Sequence, residues 1–270
     1  MIKKFLKRSL ISATIIYCGI CILVYFAQEK IIFHPEKLDA DYAFNINGDY
    51  QEFTLMTDDN EALNALLFKA DSSKGVVIHY HGNSGNIAHW ENRTSMYTDL
   101  GYDFFIMDYR GFGKSSGSIE SETQLFEDAQ LFYDTLLTYY DEANVIIEGY
   151  SVGSGIAAEI ALNNKPKQLL LLAPYYGLKD LMRHTYPVLP TFLLKYPLAT
   201  YERIPNIKVP ITIFHGDEDQ VIPFNSSERL SKLIKDGDSF IPLDGCGHNA
   251  VQSQEGYLEE LFSYVCFYIN

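Results

Sequence analysis

Three residue types, in one chain order, frame the chemistry this sequence could perform. Gly149-Tyr150-Ser151-Val152-Gly153 directly follows the run Val145-Ile146-Ile147-Glu148 and precedes small residues suited to a helix start. A G-x-S-x-G turn between strand and helix lifts a serine hydroxyl above a sheet on a sharp elbow. Glycines two before and two after let backbone and helix pack without a Cβ. The helix amino end then faces the place where negative charge develops. The same bare pattern occurs at Gly113-Lys114-Ser115-Ser116-Gly117. No strand runs into that copy, so Ser115 reads as a loop serine and Ser151 as the nucleophile.

A serine hydroxyl needs a base, and on such elbows an acid and then a histidine follow in the chain. Of the seven histidines, His184, His215 and His248 come after Ser151. His184 lies in a long insertion, and His215 closes a strand ahead of the candidate acids. His248 remains, on the glycine-rich stretch Asp244-Gly245-Cys246-Gly247-His248 after the run Phe240 to Leu243, where a flexible backbone lets an imidazole reach back. The acid should follow Ile211 to Phe214, where Asp217, Glu218 and Asp219 all stand. An acid bonded to the ring N–H fixes the tautomer and stabilises the imidazolium. Asp219 is preferred because the apolar Val221-Ile222-Pro223 would hold it inward; Asp217 is the fallback.

A developing oxyanion needs two backbone N–H donors. Val152, next to the nucleophile, should supply one. The loop after Val76 to Tyr80, His81-Gly82-Asn83-Ser84-Gly85-Asn86, should supply the other, with Asn83 first and Ser84 second. His79-x-His81 has metal-ligand spacing, but no further His or Asp cluster surrounds it in the sequence, so neither a metal nor another cofactor is expected.

The elements that must carry these residues are legible in outline. Glu52 to Thr57 and Leu63 to Lys69 read as an antiparallel pair turning at Asp58-Asp59-Asn60. Val76 to Tyr80, Phe104 to Met107, Val145 to Ile147, Leu169 to Leu172 and Ile211 to Phe214 are short, nearly continuous apolar runs, as strands buried on both faces require. Between them Leu125, Ala129, Phe132, Leu136 and Tyr140 mark one face of a helix. Ile156 to Leu162 and Ser226 to Ile234 are further helical stretches. Strands alternating with helices give right-handed crossovers and a mainly parallel sheet, with ligands beyond the strands' carboxyl ends.

With 270 residues, 47% hydrophobic and 14% aromatic, the chain can bury one large domain. Net charge is −14, and residues 31–270 carry 16 basic against 34 acidic side chains. That surface repels phosphate backbones, so nucleic acid is not an expected partner. Cys18 and Cys21 have C-x-x-C spacing but sit inside an apolar run, where they read as packing residues. Cys246 and Cys266 could pair only in an oxidising compartment.

That apolar run, Leu10 to Ala27, holds 18 residues without charge behind Lys3, Lys4, Lys7 and Arg8. As a helix it spans about 27 Å, near the ~30 Å of a bilayer core. Its large apolar residues sum to roughly −4 kcal/mol of insertion. A cleaved signal peptide would end in small-x-small. Tyr25 before Ala27 spoils that site, and Gly19-Ile20-Cys21 is a weaker one. Residues 1–30 are therefore expected to be an uncleaved signal anchor. The basic flank places the N-terminus in the cytoplasm and the domain, 31–270, on the far side, which in a bacterium is periplasmic.

The strings H-G-N-S-G-N (81–86), D-Y-R-G-F-G-K-S (108–115), G-Y-S-V-G (149–153), H-G-D-E-D-Q-V-I-P (215–223) and G-C-G-H (245–248) resemble, in order, membrane-anchored α/β-hydrolase-domain proteins. The early Ile31-Ile32-Phe33-His34-Pro35 is similar too, so the resemblance runs from about Lys30 to the C-terminus. It implies the α/β-hydrolase fold, the triad Ser151, Asp219 and His248, and an oxyanion hole from Asn83 and Val152. It also implies a structural role for the turn Asp108-Tyr109-Arg110-Gly111. Members include esterases, acyl-protein thioesterases and peptidases, so substrate does not carry over.

Residues 174–210 separate two strands and exceed a plain turn. Their apolar residues, broken by Pro187, Pro190 and Pro197, suggest a short helical lid favouring an acyl or lipid-like group; an ordinary packed insertion is the alternative. The expected activity is hydrolysis of a carboxylic ester or thioester through an acyl-serine. Peptidase action, or a silent hydrolase-like domain that only binds, are the other readings.

Overall fold

The computed structural model describes residues 2–46 and 49–251, the side chains of residues 91 and 92 excepted. Helix α1 (Ile2–Ile32) overruns the expected boundary by two residues and buries only Gln28. It is long and apolar enough to cross a membrane. Strands β1 (Tyr50–Met56) and β2 (Ala62–Phe68) then form the expected antiparallel pair, with Asn60 at φ 65° in the turn.

The remaining elements alternate. They are β3 (Val76–Tyr80), α2 (Thr94–Thr98), β4 (Asp103–Met107), α3 (Glu122–Leu136), β5 (Val145–Tyr150), α4 (Gly153–Asn163) and β6 (Gln168–Leu172). After them come α5 (Leu178–Thr185), α6 (Thr200–Arg203), β7 (Ile211–Gly216), α7 (Asn225–Leu230) and β8 (Ser239–Leu243). The strands make one eight-stranded sheet in the order β8-β7-β6-β5-β3-β4-β2-β1. From β4 to β8 every neighbouring pair is parallel, and only the β1 and β2 edge is antiparallel.

Strand composition explains this placement. Every residue of β3, β4, β5, β6 and β7 is buried, as strands covered by helices on both faces must be. The edge strand β1 mixes buried Phe53 with exposed Gln51, Glu52 and Thr54. On one face, α3 and α4 close a core with Leu125, Ala129, Phe132 and Leu136 on the buried side of α3. Tyr140, expected on that helical face, packs on the same core from beyond the helix end. Ser121 caps α3 by accepting from Gln124 N–H at 3.1 Å. Trp90, Tyr97 and Leu100 cover the opposite face.

The chain leaves β3 for β4 on one side and returns to β5 on the other, a topological switch point with its crevice at the carboxyl ends of β3 and β5. Asn83 follows the first and Ser151 the second. Cys266, the conceivable partner of Cys246, lies outside the described residues.

Candidate active site

β5 runs to Tyr150 and passes directly into Ser151, which adopts φ 53°, a left-handed conformation costly for a residue with a Cβ. The turn tolerates no bulk beside it. A Cβ on Gly153 would lie 1.9 Å from the Tyr80 carbonyl oxygen, and one on Gly149 would lie 2.5 Å from Ala157 Cβ. Both glycines are thus required by close approach: helix α4 sits hard against β3 and β5. Ser151 N–H donates to the Leu172 carbonyl at 3.0 Å, and Ser154 Oγ donates back to the Ser151 carbonyl at 2.6 Å.

Asp219 lies just beyond β7 and His248 just beyond β8, and the neighbouring strand ends bring both to Ser151. His248 Nε2 is 3.1 Å from Ser151 Oγ, and its Nδ1 is 2.6 Å from Asp219 Oδ2. Ser151 is 6% exposed, Asp219 is buried, and the His248 side chain is nearly so. Burial pushes the Asp219 carboxyl up. Hydrogen bonds from His215, His248 and the Ile222 N–H outweigh burial and hold it well below the usual carboxylate range. An ionised Asp219 only accepts, so His248 Nδ1 carries a proton and Nε2 is left to accept from the serine hydroxyl. The arrangement can move a proton from Oγ to the ring while the carboxylate steadies the resulting charge.

Asp219 is turned inward by backbone hydrogen bonds and by the burial of Ile222 in the core behind it. Asp219 Oδ1 accepts from the N–H groups of Val221 and Ile222, each at 2.8 Å, while the Val221 side chain is exposed. Asp217 faces solvent and accepts from Gly245 N–H at 2.7 Å, bracing the histidine loop instead.

The loop after β3 passes directly over the elbow, since a Cβ on Gly82 would come within 3.7 Å of Ser151 Cβ. Asn83 and Val152 flank this gap. Neither of their backbone N–H groups is engaged by an acceptor among the described residues. Asn83 is held at both ends of its side: its Nδ2 donates to the Ile32 carbonyl at 2.7 Å, and its carbonyl accepts from His34 N–H at 2.8 Å. Ser84 instead pairs with His34 in a two-residue parallel bridge.

Several contacts carry no signal in the sequence. His215 Nε2 sits 3.2 Å from Asp219 Oδ2 and 3.0 Å from the Ile222 carbonyl, two acceptors that require a proton there. Its Nδ1 then accepts from Ser227 Oγ at 2.6 Å. Tyr150, the residue before the serine, donates to Asn249 Oδ1 at 3.0 Å and packs tilted against the His248 ring with centroids 5.3 Å apart.

The other candidates stand elsewhere. Ser115 is buried, accepts from Asn64 N–H at 2.9 Å and donates to the Asp108 carbonyl at 2.8 Å. His184 is exposed at the end of α5. His79 Nδ1 lies 2.5 Å from Glu148 Oε1 in the core, and Tyr97 donates to the same carboxylate. Among the described residues no group of three His, Cys, Asp or Glu side chains could hold a metal ion.

The turn Asp108-Tyr109-Arg110-Gly111 braces the site from beneath. Arg110 binds Asp128 and Asp59 with both sides of its guanidinium, and Tyr109 donates to the His81 carbonyl at 2.8 Å. His81 Nε2 is 3.6 Å from Asp108 Oδ1, both fully buried. Burial pushes His81 down to about 3 and Asp108 well up, so desolvation outweighs their mutual attraction at both groups.

Residues 174–210 form α5, a single turn at Thr191–Leu193, α6 and a further turn at Ile204–Asn206. Tyr175 donates to the Val152 carbonyl at 3.1 Å, so this segment abuts the elbow.

Comparison with known proteins agrees with this architecture. A family model described as serine aminopeptidase, S33 matches residues 71–200. The human α/β-hydrolase domain-containing protein 17B is 27% identical over 237 residues, covering 85% of this chain and 80% of its own. Protein bem46 of Schizosaccharomyces pombe is 22% identical over 281 residues, covering 97% and 92%. A solved Pyrococcus furiosus esterase superposes with a TM-score of 0.70 at 17% identity, covering 88% of this chain and 98% of its own, which speaks to fold alone. Strand order, elbow and these likenesses converge: the chain has the α/β-hydrolase fold and is a hydrolase of that fold.

Proposed function

We propose that this hydrolase is a membrane-anchored serine enzyme that cleaves carboxylic esters or thioesters through an acyl-serine intermediate. The observation that carries the reading is the unbroken relay from Ser151 Oγ to His248 at 3.1 Å and from His248 to Asp219 at 2.6 Å. Ser151 Oγ attacks the carbonyl carbon as its proton passes to His248 Nε2. The oxyanion takes the N–H groups of Asn83 and Val152, each such donor contributing about 3–4 kcal/mol in comparable sites. His248 returns the proton to the departing alcohol or thiol. Water, deprotonated by the same ring, then breaks the acyl-serine bond and regenerates the hydroxyl.

In this reading α1 anchors the enzyme with its basic flank in the cytoplasm and the domain on the opposite side. The substrate is a small or acylated molecule, and the apolar segment 174–210 favours an acyl or lipid-like group. A fluorophosphonate probe should label Ser151 in the folded wild type and not in Ser151→Ala; a folded wild type that stays unlabelled would overturn the assignment. A panel of esters and thioesters of increasing chain length, run on both proteins, then identifies the bond and the acyl preference.

The peptidase description of the matching family model favours a second reading, hydrolysis of exposed peptide amides. It requires turnover of peptide p-nitroanilides to exceed that of p-nitrophenyl esters.

A further inference from the structure

Along α1, the lid segment is not folded away over the domain but runs beside the apolar helix. Tyr17 donates to the Val188 carbonyl at 2.7 Å, and Gln28 Nε2 donates to the Leu193 carbonyl at 3.1 Å. Lys195 N–H donates to Gln28 Oε1 and Lys195 Nζ pairs with Glu29, both at 2.8 Å. From Val188 to Lys195 the segment therefore tracks α1 from position 17 to position 29. Its outward side is apolar and uncovered, with Val188 75% and Phe192 81% exposed.

Charge separates this segment from the rest of the domain. Residues 174–210 hold five Lys and Arg (Lys179, Arg183, Lys195, Arg203 and Lys208) against Asp180 and Glu202, while residues 31–270 together carry 16 basic and 34 acidic side chains. Lys195 is paired with Glu29 and Arg203 with Glu122 and Glu159, so Lys179, Arg183 and Lys208 are the ones with no ion pair among the described residues, a modest basic excess beside an apolar tip that fits a lipid surface.

We propose that residues 186–194 are seated in the bilayer leaflet through which α1 emerges, so that the hydrolase site takes its acyl substrate from that leaflet. The inference rests on the anchored-hydrolase reading above and adds to it the source of the substrate. Depth follows from the helix. Tyr17 and Gln28 are separated by about 16 Å of helical rise. With the polar cluster of Gln28, Glu29 and Lys195 at the headgroups, a layer of ~5–7 Å, the lid tip lies about 10 Å into the acyl region. Part of the backbone there is satisfied without water: Pro187 and Pro190 have no N–H, Leu189, Leu193 and Leu194 donate within the segment, and the Val188 and Leu193 carbonyls accept from α1. The N–H groups of Val188, Thr191 and Phe192 have no acceptor among the described residues and require water or headgroup oxygens. Helix and site are one unit here, because Ile32 at the end of α1 accepts from Asn83.

Tryptophan fluorescence, read as the difference between each variant and wild type, tests the seat. The one native tryptophan, Trp90, is buried in the domain at 8% exposure and serves as an internal reference. Full-length Phe192→Trp, and separately Val188→Trp, is reconstituted into phosphatidylcholine and phosphatidylglycerol vesicles with bromine on the upper acyl carbons. A blue-shifted new emission quenched about twofold, with the Trp90 signal unchanged, is expected for groups at this depth. Water-like, unquenched emission from both variants in protein that floats with the vesicles would overturn the lid assignment while leaving the anchor intact. Protein that does not float overturns both.

A second measurement addresses the substrate source. The double variant Val188→Asp, Phe192→Asp should slow labelling by a long-chain fluorophosphonate dissolved in the vesicles about tenfold relative to a short soluble one. Equal slowing with both probes would count against supply from the leaflet. No labelling of wild type by either probe would instead remove the serine-hydrolase reading and leave the fluorescence result to decide the lid.

Discussion

The amide of Asn83 donates to the carbonyl of Ile32 at 2.7 Å, tying the loop that overlies Ser151 to the last residue of the N-terminal helix. The helix thereby helps set where the Asn83 backbone N–H points. Asn83→Ala on the full chain should lower kcat about tenfold, a fraction of the loss from deleting an oxyanion donor outright. KM for a short ester should change little, since the backbone donor remains and only its aim is loosened. Steady-state kinetics that show a rise in KM at unchanged kcat would place Asn83 in substrate binding instead.

Removal of the relay should be felt unequally. Ser151→Ala and His248→Ala should each reduce ester turnover by about 10⁴-fold or more, and Asp219→Asn by about 10⁴-fold through loss of the correct tautomer. Combining any two should add little, because the three side chains act as a unit. Measurement of kcat for single and double variants checks this non-additivity.

Ser115 provides the matched control. Ser115→Ala removes a buried hydroxyl bonded to Asn64 N–H and the Asp108 carbonyl. It should cost about 1–3 kcal/mol in urea unfolding. Fluorophosphonate labelling of the folded protein should persist, the opposite pattern to Ser151→Ala.

The elbow should tolerate no methyl group at Gly153. A Cβ 1.9 Å from the Tyr80 oxygen forces α4 away from β3, and more than about 4 kcal/mol of stability should be lost. Gly153→Ala should accumulate as insoluble or unfolded protein, whereas Gly245→Ala, with nothing within 4 Å of the added carbon, should stay folded and lose only what its φ of 66° costs.

His81 and Asp108 should cancel each other in the pH profile of stability. His81, held down to about 3, takes no proton in the folded state through mildly acidic pH, while its unfolded value is near 6.5. Alone, it contributes stability that is full above about pH 6.5 and is lost as pH falls toward 3. Asp108, held well above its usual value, has the opposite sign: its contribution is full below about pH 4 and is lost as pH rises. Between about pH 4 and 6.5 folded and unfolded chains bind the same number of protons at this pair. Asp108→Asn should therefore make Tm rise with pH across that window, and His81→Gln should make it fall. Thermal melts of both variants relative to wild type give the two slopes.

Much of this site was legible because its parts are local. The strand before Ser151, the glycines around it and the order of acid and histidine all sit in short segments, and the buried strands are apolar throughout. Strand ends were harder. Glu148, Gly149 and Tyr150 look like turn residues, yet they complete β5 because Glu148 is paired with His79 and Tyr97 in the core. His215 was placed as a strand end, but its contact with Asp219 depends on how the chain reverses after β7. The apolar residues behind Asp219 point to it, and Ile222 is indeed buried, but the two peptide N–H groups that also hold the carboxylate leave no trace in the sequence. The same limit hid the link from Ile32 to Asn83, which joins residues 51 positions apart through a side-chain amide.

Asp219 has four partners, and three of them have no reason to leave: the Val221 and Ile222 N–H groups and the His215 ring. His248, by contrast, rides a loop with open space around Gly245. Under the proposed mechanism, an imidazole that swung out to let a product depart would leave a carboxylate still held by three partners, and so would return to the same orientation.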